Sequence, residues 1–405
     1  MQRDASTGIP TVLFGAFDRH NFGDLLFPHV MARMLPRSDL LFAGLAGRDL
    51  RAHGGHKVRA LAQVAASLRD RPVNVIHAGG ELLTCDAWEA AVMLSRPEKM
   101  QEAIASLADW RQGGLSWARA RLGVAAWAPY TLARESFPQA VHVFYNAVGG
   151  VDLDERDPAM RAEVLAKLKA ADDISTRDRQ TKALLDASGL ATRLIPDPAV
   201  MVAELFGKRI RQCAAHSAIS RILDAFPERY IAVQFSADFG DDETLCEIAA
   251  QLDRIATSSG LGVVLFRAGA APWHDDLTCY RRVLARMRVP SAKIFSSLNI
   301  WDICALIAYS RVYCGSSLHG RIVAMAFALP RVNLCHPART RLATKQTAFA
   351  TTWEEAGVST AVEVPKIAEG ICDALAVDRA RLQHTAEDLV TRYRQGFDPI
   401  RAKLC

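Results

Sequence analysis

Short runs rich in β-branched and aromatic residues alternate with longer helical patterns along the chain. That alternation predicts a parallel-sheet α/β architecture. The first strand-like runs are TVLFGAF (11–17), VNVIHA (73–78), VHVFYNAVG (141–149), DIST (173–176) and TRLI (192–195). A second series follows at YIAVQFS (230–236), LGVVLFR (261–267), KIFS (293–296), RVYCG (311–315) and RVNLC (331–335). Between them, ELFGKRIRQCAAHSAISR (204–221) reads as a basic linker and helix without strand character. Two α/β domains are expected, over 1–203 and 204–365. A helical segment over 366–405 follows, because RLQHTAEDLVTRYRQGF has no strand to pair with. At 405 residues the chain is also too long for one ordinary core.

Composition removes several function classes. Half the residues are hydrophobic and 23% are charged, an ordinary globular balance. The formal net charge of +5 suits an acidic small substrate or an anionic membrane surface. No dense Lys/Arg run of the nucleic-acid-binding kind is present. The nine cysteines are scattered, with no CxxC pair and no zinc-like His/Cys spacing. Reduced thiols in a cytosolic protein without a metal site are the expectation. MQRDASTGIPTVLFGAF has only a short apolar run, and no later segment reaches about 18 apolar residues without a charge. The chain thus reads as soluble and cytoplasmic, compatible with a peripheral position at the inner face of the cell membrane.

Parallel sheets bind ligands beyond the carboxyl ends of their strands, so residues just after strands carry the functional information. In FGAFDRHNFGDLLFPHVMARML (14–35), Asn21 and Gly23 suit a tight strand-to-helix turn whose free amides can hold an anion. Asp24 follows, either as a first-turn charge complementing the helix dipole or as a functional carboxylate. In VNVIHAGGELL (73–83), Gly79 and Gly80 allow close backbone approach to a ligand, and a plain tight turn fits them equally. The segment is neither a GxGxxG fingerprint nor a Walker A loop. In DISTRDRQTKALLDASGL (173–190), Arg177 ends a strand and Asp178 starts a helix. Arg177 can clamp a carboxylate or phosphate, or fasten the loop through an Arg–Asp pair. DPAV (197–200) places Asp197 in a cap or turn. In CGSSLHGRIVAMAFALPRV (314–332), Ser316 and Ser317 are natural N-caps, and Leu318, Ile322, Val323, Ala326 and Phe327 form a buried helix face ended by Pro330. His319 falls in the first helical turn, where the local positive potential favours the neutral imidazole, a competent base. Gly320 beside it leaves room for a ligand against the helix.

In this order, NFGDLL, HAGGELL, STRDRQTKALL, DPAV and SSLHGRIVAMAFALPRV resemble the polysaccharide pyruvyl transferase family, over about residues 12 to 335. The resemblance implies two Rossmann-like domains in a GT-B-like arrangement, with a C-terminal helix returning to the first domain. It implies that phosphoenolpyruvate is the donor substrate; no cofactor and no metal are expected, because phosphate is a good leaving group and the sequence shows no ligand cluster. The donor's enolpyruvyl carbons would pass, as a ketal, to sugar hydroxyls of an exopolysaccharide or envelope glycan, such as a lipid-linked oligosaccharide. Arg177 with Asp178, the Asn21–Asp24 turn, Gly79–Gly80 and the Ser316–Gly320 turn would bind substrate. His319 would be the base, and Asp24 would hold or deprotonate the acceptor. Many members carry an arginine two positions before the motif histidine, where this chain has Ser317. Arg321 or Arg267 would then supply the charge. Position 321 lies about 200° around the helix from His319 at roughly 100° per residue, which favours Arg267. Two alternatives share the fold: a nucleotide-sugar glycosyltransferase, and a non-catalytic relative that binds a glycan or partner.

Overall fold

The computed structural model describes residues 8–35, 39–95, 115–216, 218–336 and 344–404. It divides into two compact units. The first comprises Met1–His20, Asp24–Pro198 and Arg392–Cys405, and the second Asn21–Gly23 and Ala199–Thr391.

The first unit is built on β1 (Thr11–Phe14), β2 (Leu40–Gly44), β3 (Arg48–Asp49), β4 (Lys57–Ala60), β5 (Val73–His77), β6 (Ala140–Val148), β7 (Asp173–Thr176) and β8 (Arg193–Leu194). They form one sheet in the order β3-β4-β2-β1-β5-β6-β7-β8. Every pairing is parallel except β3 with β4. Residues of β1 and β5 are buried throughout, as expected of central parallel strands covered on both faces.

The second unit contains β9 (Tyr230–Gln234), β10 (Gly262–Phe266), β11 (Ala292–Phe295), β12 (Val312–Gly315), β13 (Arg331–Cys335) and β14 (Val362–Glu363). Their order is β11-β10-β9-β12-β13-β14, all parallel. Ile231, Val233, Val263, Leu265, Val312 and Cys314 face a core closed by the helix Asp242–Ser259.

Strand order reverses between β1 and β5 in the first sheet and between β9 and β12 in the second. The crevices beyond the carboxyl ends of those pairs are the topological switch points at which doubly wound sheets bind ligands.

The division falls at Pro198/Ala199, ahead of the 203/204 boundary read from the sequence. The helix Val202–His216 packs against Ile300–Ala308 and so goes wholly with the second unit. The tail is helical over Ile367–Ala376 and Arg379–Leu404. Within the first unit, the Asn146 side-chain amide donates to Tyr393 Oη at 3.2 Å, and Tyr393, Phe397 and Ile400 are fully buried. Among the described residues, no helix is long and apolar enough to cross a membrane.

Candidate functional site

In the second unit the chain leaves β12 through Ser316 and Ser317 into the helix Leu318–Ala326. Ser317 is the N-cap, its Oγ accepting from the Gly320 N–H at 3.2 Å. Ser316 has a different role: its Oγ accepts from the Ser236 N–H at 3.0 Å, tying the turn to the residues after β9. Gln234, the last residue of β9, completes the tie. Its Oε1 accepts from the Ser317 N–H at 2.8 Å, and its Nε2 donates to Asp275 Oδ1 at 2.8 Å. Asp275 Oδ2 in turn accepts from the Ala268 N–H at 2.6 Å and the Gly269 N–H at 3.3 Å. Burial pushes the Asp275 carboxyl up to about 7, against the hydrogen bonds it receives. This polar chain fixes the turn across the β9/β12 switch point.

His319 lies in the first turn and is 8% exposed. Phe22 meets its ring edge-on, with centroids 6.4 Å apart. A methyl group on Gly23 would lie 1.9 Å from His319 Cγ, so only glycine fits there. Asn21 Oδ1 accepts from the Gly23 N–H at 3.2 Å and Ala268 O from the Phe22 N–H at 2.8 Å, so these helix-start amides are not free to hold an anion as expected, and Asn21 bridges Gly269. Asn21, Gly23, Ser316, Ser317 and His319 are thus all in the second unit.

Two expectations in this unit need correction. Gly320 does not leave space for a ligand: a Cβ there would lie 2.3 Å from Tyr313 Oη, so the glycine admits that tyrosine. Arg321 is fully buried and bound inside the unit, its Nη2 donating to Glu354 Oε1 at 2.5 Å and to Ser359 O at 3.1 Å. Arg331 donates to the same carboxylate from Nε at 2.7 Å and from Nη2 at 2.5 Å. Arg267, the other candidate for the charge, follows β10, which is separated from β12 by β9. Its Nε is buried with no hydrogen-bond acceptor among the described residues.

The remaining expected residues are in the first unit. Arg177 is 1% exposed, its Nη1 donating to Asp197 Oδ2 at 3.2 Å and its Nη2 to Glu81 Oε2. In the structure it fastens the ends of β5, β7 and β8, because two protein carboxylates occupy its fork. Asp178 caps the helix Arg179–Ala187, accepting from the Thr181 N–H at 2.7 Å and from Thr181 Oγ1 at 3.0 Å. Gly79 and Gly80 have φ of +120° and +101°, which the turn after β5 requires. Asp24 sits in the first turn of the helix Phe22–Met34 with Arg19 Nη2 4.0 Å away. Among the described residues, no three His, Cys, Asp or Glu side chains are grouped to hold a metal.

Sequence reasoning missed Gln234, Asp275, Tyr313 and Arg19. Gln234 was signalled, as the one polar residue in YIAVQF, at the carboxyl end of its strand.

Two doubly wound sheets with polar strand-to-helix turns at their switch points define a GT-B-like α/β protein. Solved structures share this fold. The MnaA–UDP co-structure from S. aureus matches with a TM-score of 0.54 at 11% identity, covering 97% of each chain. HepE from Anabaena, in complex with UDP and glucose, gives 0.52 at 12% identity, covering 97% of this chain and 100% of that one. UDP-GlcNAc 2-epimerase from Neisseria meningitidis, bound to UDP-GlcNAc, gives 0.51 at 11%, covering 94% and 98%. No curated protein matches the chain in sequence. Residues 137–334 match the model of the polysaccharide pyruvyl transferase family, in agreement with the resemblance carried by the motifs. The matched span holds STRDRQTKALL, DPAV and the His319 turn, whereas NFGDLL and HAGGELL precede it.

Proposed function

We propose that the protein transfers the enolpyruvyl group of phosphoenolpyruvate to two hydroxyls of a sugar in a polysaccharide precursor, on the cytoplasmic side of the membrane. The observation that carries this reading is the family match, which extends through the His319 turn at the second unit's switch point.

The reaction needs a cation and helix-start amides for the donor, and a base for the acceptor. In our reading the Leu318 amide at the helix start holds a donor oxygen, as helix N-termini do, because the Ser316, Ser317 and Gly320 amides already have protein acceptors. Arg267 supplies positive charge, with its Nε as an open donor. His319 takes the proton of the attacking hydroxyl. Donor C3 gains a proton and becomes a methyl group, both sugar oxygens bond to C2, and the C2–O bond to phosphate breaks. One hydroxyl proton is thereby balanced at C3 and the other leaves with inorganic phosphate, to which His319 can return it.

Full-length protein incubated with phosphoenolpyruvate and lipid-linked oligosaccharides, followed by mass spectrometry and phosphate release, tests the reading. A ketal-bearing product with stoichiometric phosphate supports it. No product from any acceptor, with nucleotide sugars consumed instead, rejects it in favour of glycosyl transfer.

A further inference from the structure

The switch point of the first unit holds a second polar group. Arg19 follows β1, and its side chain is only 9% exposed. The guanidinium lies over the Tyr130 ring, 5.0 Å from the centroid. Tyr130 is itself anchored, its hydroxyl donating to Asp18 Oδ1 at 2.7 Å, while Asp18 Oδ2 accepts from the Ala46 N–H at 3.1 Å. Asp18 therefore holds the platform on which Arg19 rests. Arg19 is fixed in position, yet its buried Nε and Nη1 have no hydrogen-bond acceptor among the described residues. A buried donor without an acceptor is costly and calls for an explanation.

Asp24 is the nearest opposite charge, and its carboxylate stands 4.0 Å from Arg19 Nη2. That gap is too long for a charge-assisted hydrogen bond, which spans about 2.7–2.9 Å. One hydroxyl oxygen fills it, accepting from the guanidinium and donating to the carboxylate at about 2.7–3.0 Å each. Gly80, after β5, closes the other side: a Cβ there would lie 3.3 Å from Asp24 Oδ1.

We infer that Arg19 and Asp24 form a binding site for neighbouring hydroxyls of a neutral sugar ring at the β1/β5 switch point of the first unit. Arg19 donates to one hydroxyl through an open N–H, and a second hydroxyl bridges Arg19 and Asp24. The charge balance selects a polyol over an anion, because a phosphate or carboxylate drawn to Arg19 would face Asp24 across a few ångströms. The inference deepens the proposed transfer to a glycan and takes its ligand class from it, so its test reads sugar binding directly rather than turnover.

Full-length protein is titrated with a panel of methyl hexopyranosides, observed by saturation-transfer NMR, with inorganic phosphate as competitor. At least one glycoside should bind with its strongest contacts at two adjacent ring positions. Arg19→Gln should abolish the signal. Arg19→Lys, which keeps the charge and loses the planar fork, should weaken binding about tenfold. Asp24→Asn should weaken it similarly, with circular dichroism unchanged in both conservative variants. The inference is overturned if no glycoside binds, if folded Arg19→Lys and Asp24→Asn bind like wild type, or if phosphate displaces the glycoside from wild type. If sugar binding follows these residues while phosphoenolpyruvate fails as donor, the transfer reading falls and the site stands.

Discussion

Arg321 and Arg267 carry the same charge and have opposite fates, because Arg321 is paired with a buried carboxylate and Arg267 forms no ion pair among the described residues. Glu354 is 2% exposed in its side chain and receives both Arg321 and Arg331, each 0% exposed. Removing one partner of such a buried pair typically costs about 3–5 kcal/mol, because the remaining charges lose their compensation. Arg321→Ala should therefore shift denaturant midpoints strongly while leaving the donor KM of the folded fraction unchanged. Arg267→Ala should do the reverse. Losing a charged hydrogen bond of about 1.5–3 kcal/mol corresponds to a rise in donor KM of roughly ten- to a hundredfold. His319→Ala should lower kcat by about 10²–10⁴ if the residue is the general base. A folded His319→Ala protein that turns over at the wild-type rate would remove His319 from the chemistry.

Each unit also contains a buried titratable group, and the two respond to pH in opposite senses. His77 ends β5, stacked on Tyr145 with ring centroids 3.7 Å apart. Its Nε2 accepts from the Leu132 N–H at 3.0 Å, so its Nδ1 carries the proton and donates to Phe144 O at 3.0 Å. Burial pushes this histidine down to about 3 from an ordinary 6.5. Its contribution is thus present above pH 6.5 and lost as pH falls toward 3. Asp275 is raised from 3.8 to about 7, so its contribution is present below pH 3.8 and lost as pH rises toward 7. Peptide-level hydrogen exchange should show β5 and β6 losing protection on acidification and the Ala268–Asp275 loop losing it on the neutral side. Asp275→Asn should flatten the second dependence; an unchanged profile would exclude Asp275 as its source. These elements also show what was legible in sequence. DIST and RVNLC have the bounds of β7 and β13, being short runs flanked by helix and turn signals. LLFAG (β2) is only partly buried, and RD (β3), KVRA (β4) and VE (β14) are too short or too charged to show a strand pattern. The Ser316–His319 turn was readable because capping is local. Arg177 was not resolvable: a ligand clamp and a fastener use the same side chain, and its partner Glu81 is 96 residues away.

At the scale of the whole chain, the last residues stabilise strands formed much earlier in the sequence. Arg193 beside β7 donates to Asp173 and, from Nη1, to Gly396 O at 2.5 Å. A Cβ on Gly396 would lie 2.2 Å from Ile195 Cγ2, so the helix approaches the end of β8 at a distance only glycine allows. Tyr393, Phe397 and Ile400 are 0% exposed, and burying each such side chain contributes about 1.5–3 kcal/mol. Deleting residues from Arg392 onward should therefore destabilise the first unit by several kcal/mol, although its strands end near residue 195. Deletion alone could act by exposing apolar surface, so a finer test uses the contact itself. Gly396→Ala should cost about 1–3 kcal/mol through overpacking. Ile195→Ala leaves a cavity and should cost about 2–5 kcal/mol. If the two residues touch as described, the double variant should be more stable than the sum of the single changes by about 0.5–3 kcal/mol, because the added methyl occupies space the isoleucine vacated. Strict additivity in denaturant unfolding would mean that the helix does not approach β8 at Gly396, and the assignment of the tail to the first unit would lose its closest contact.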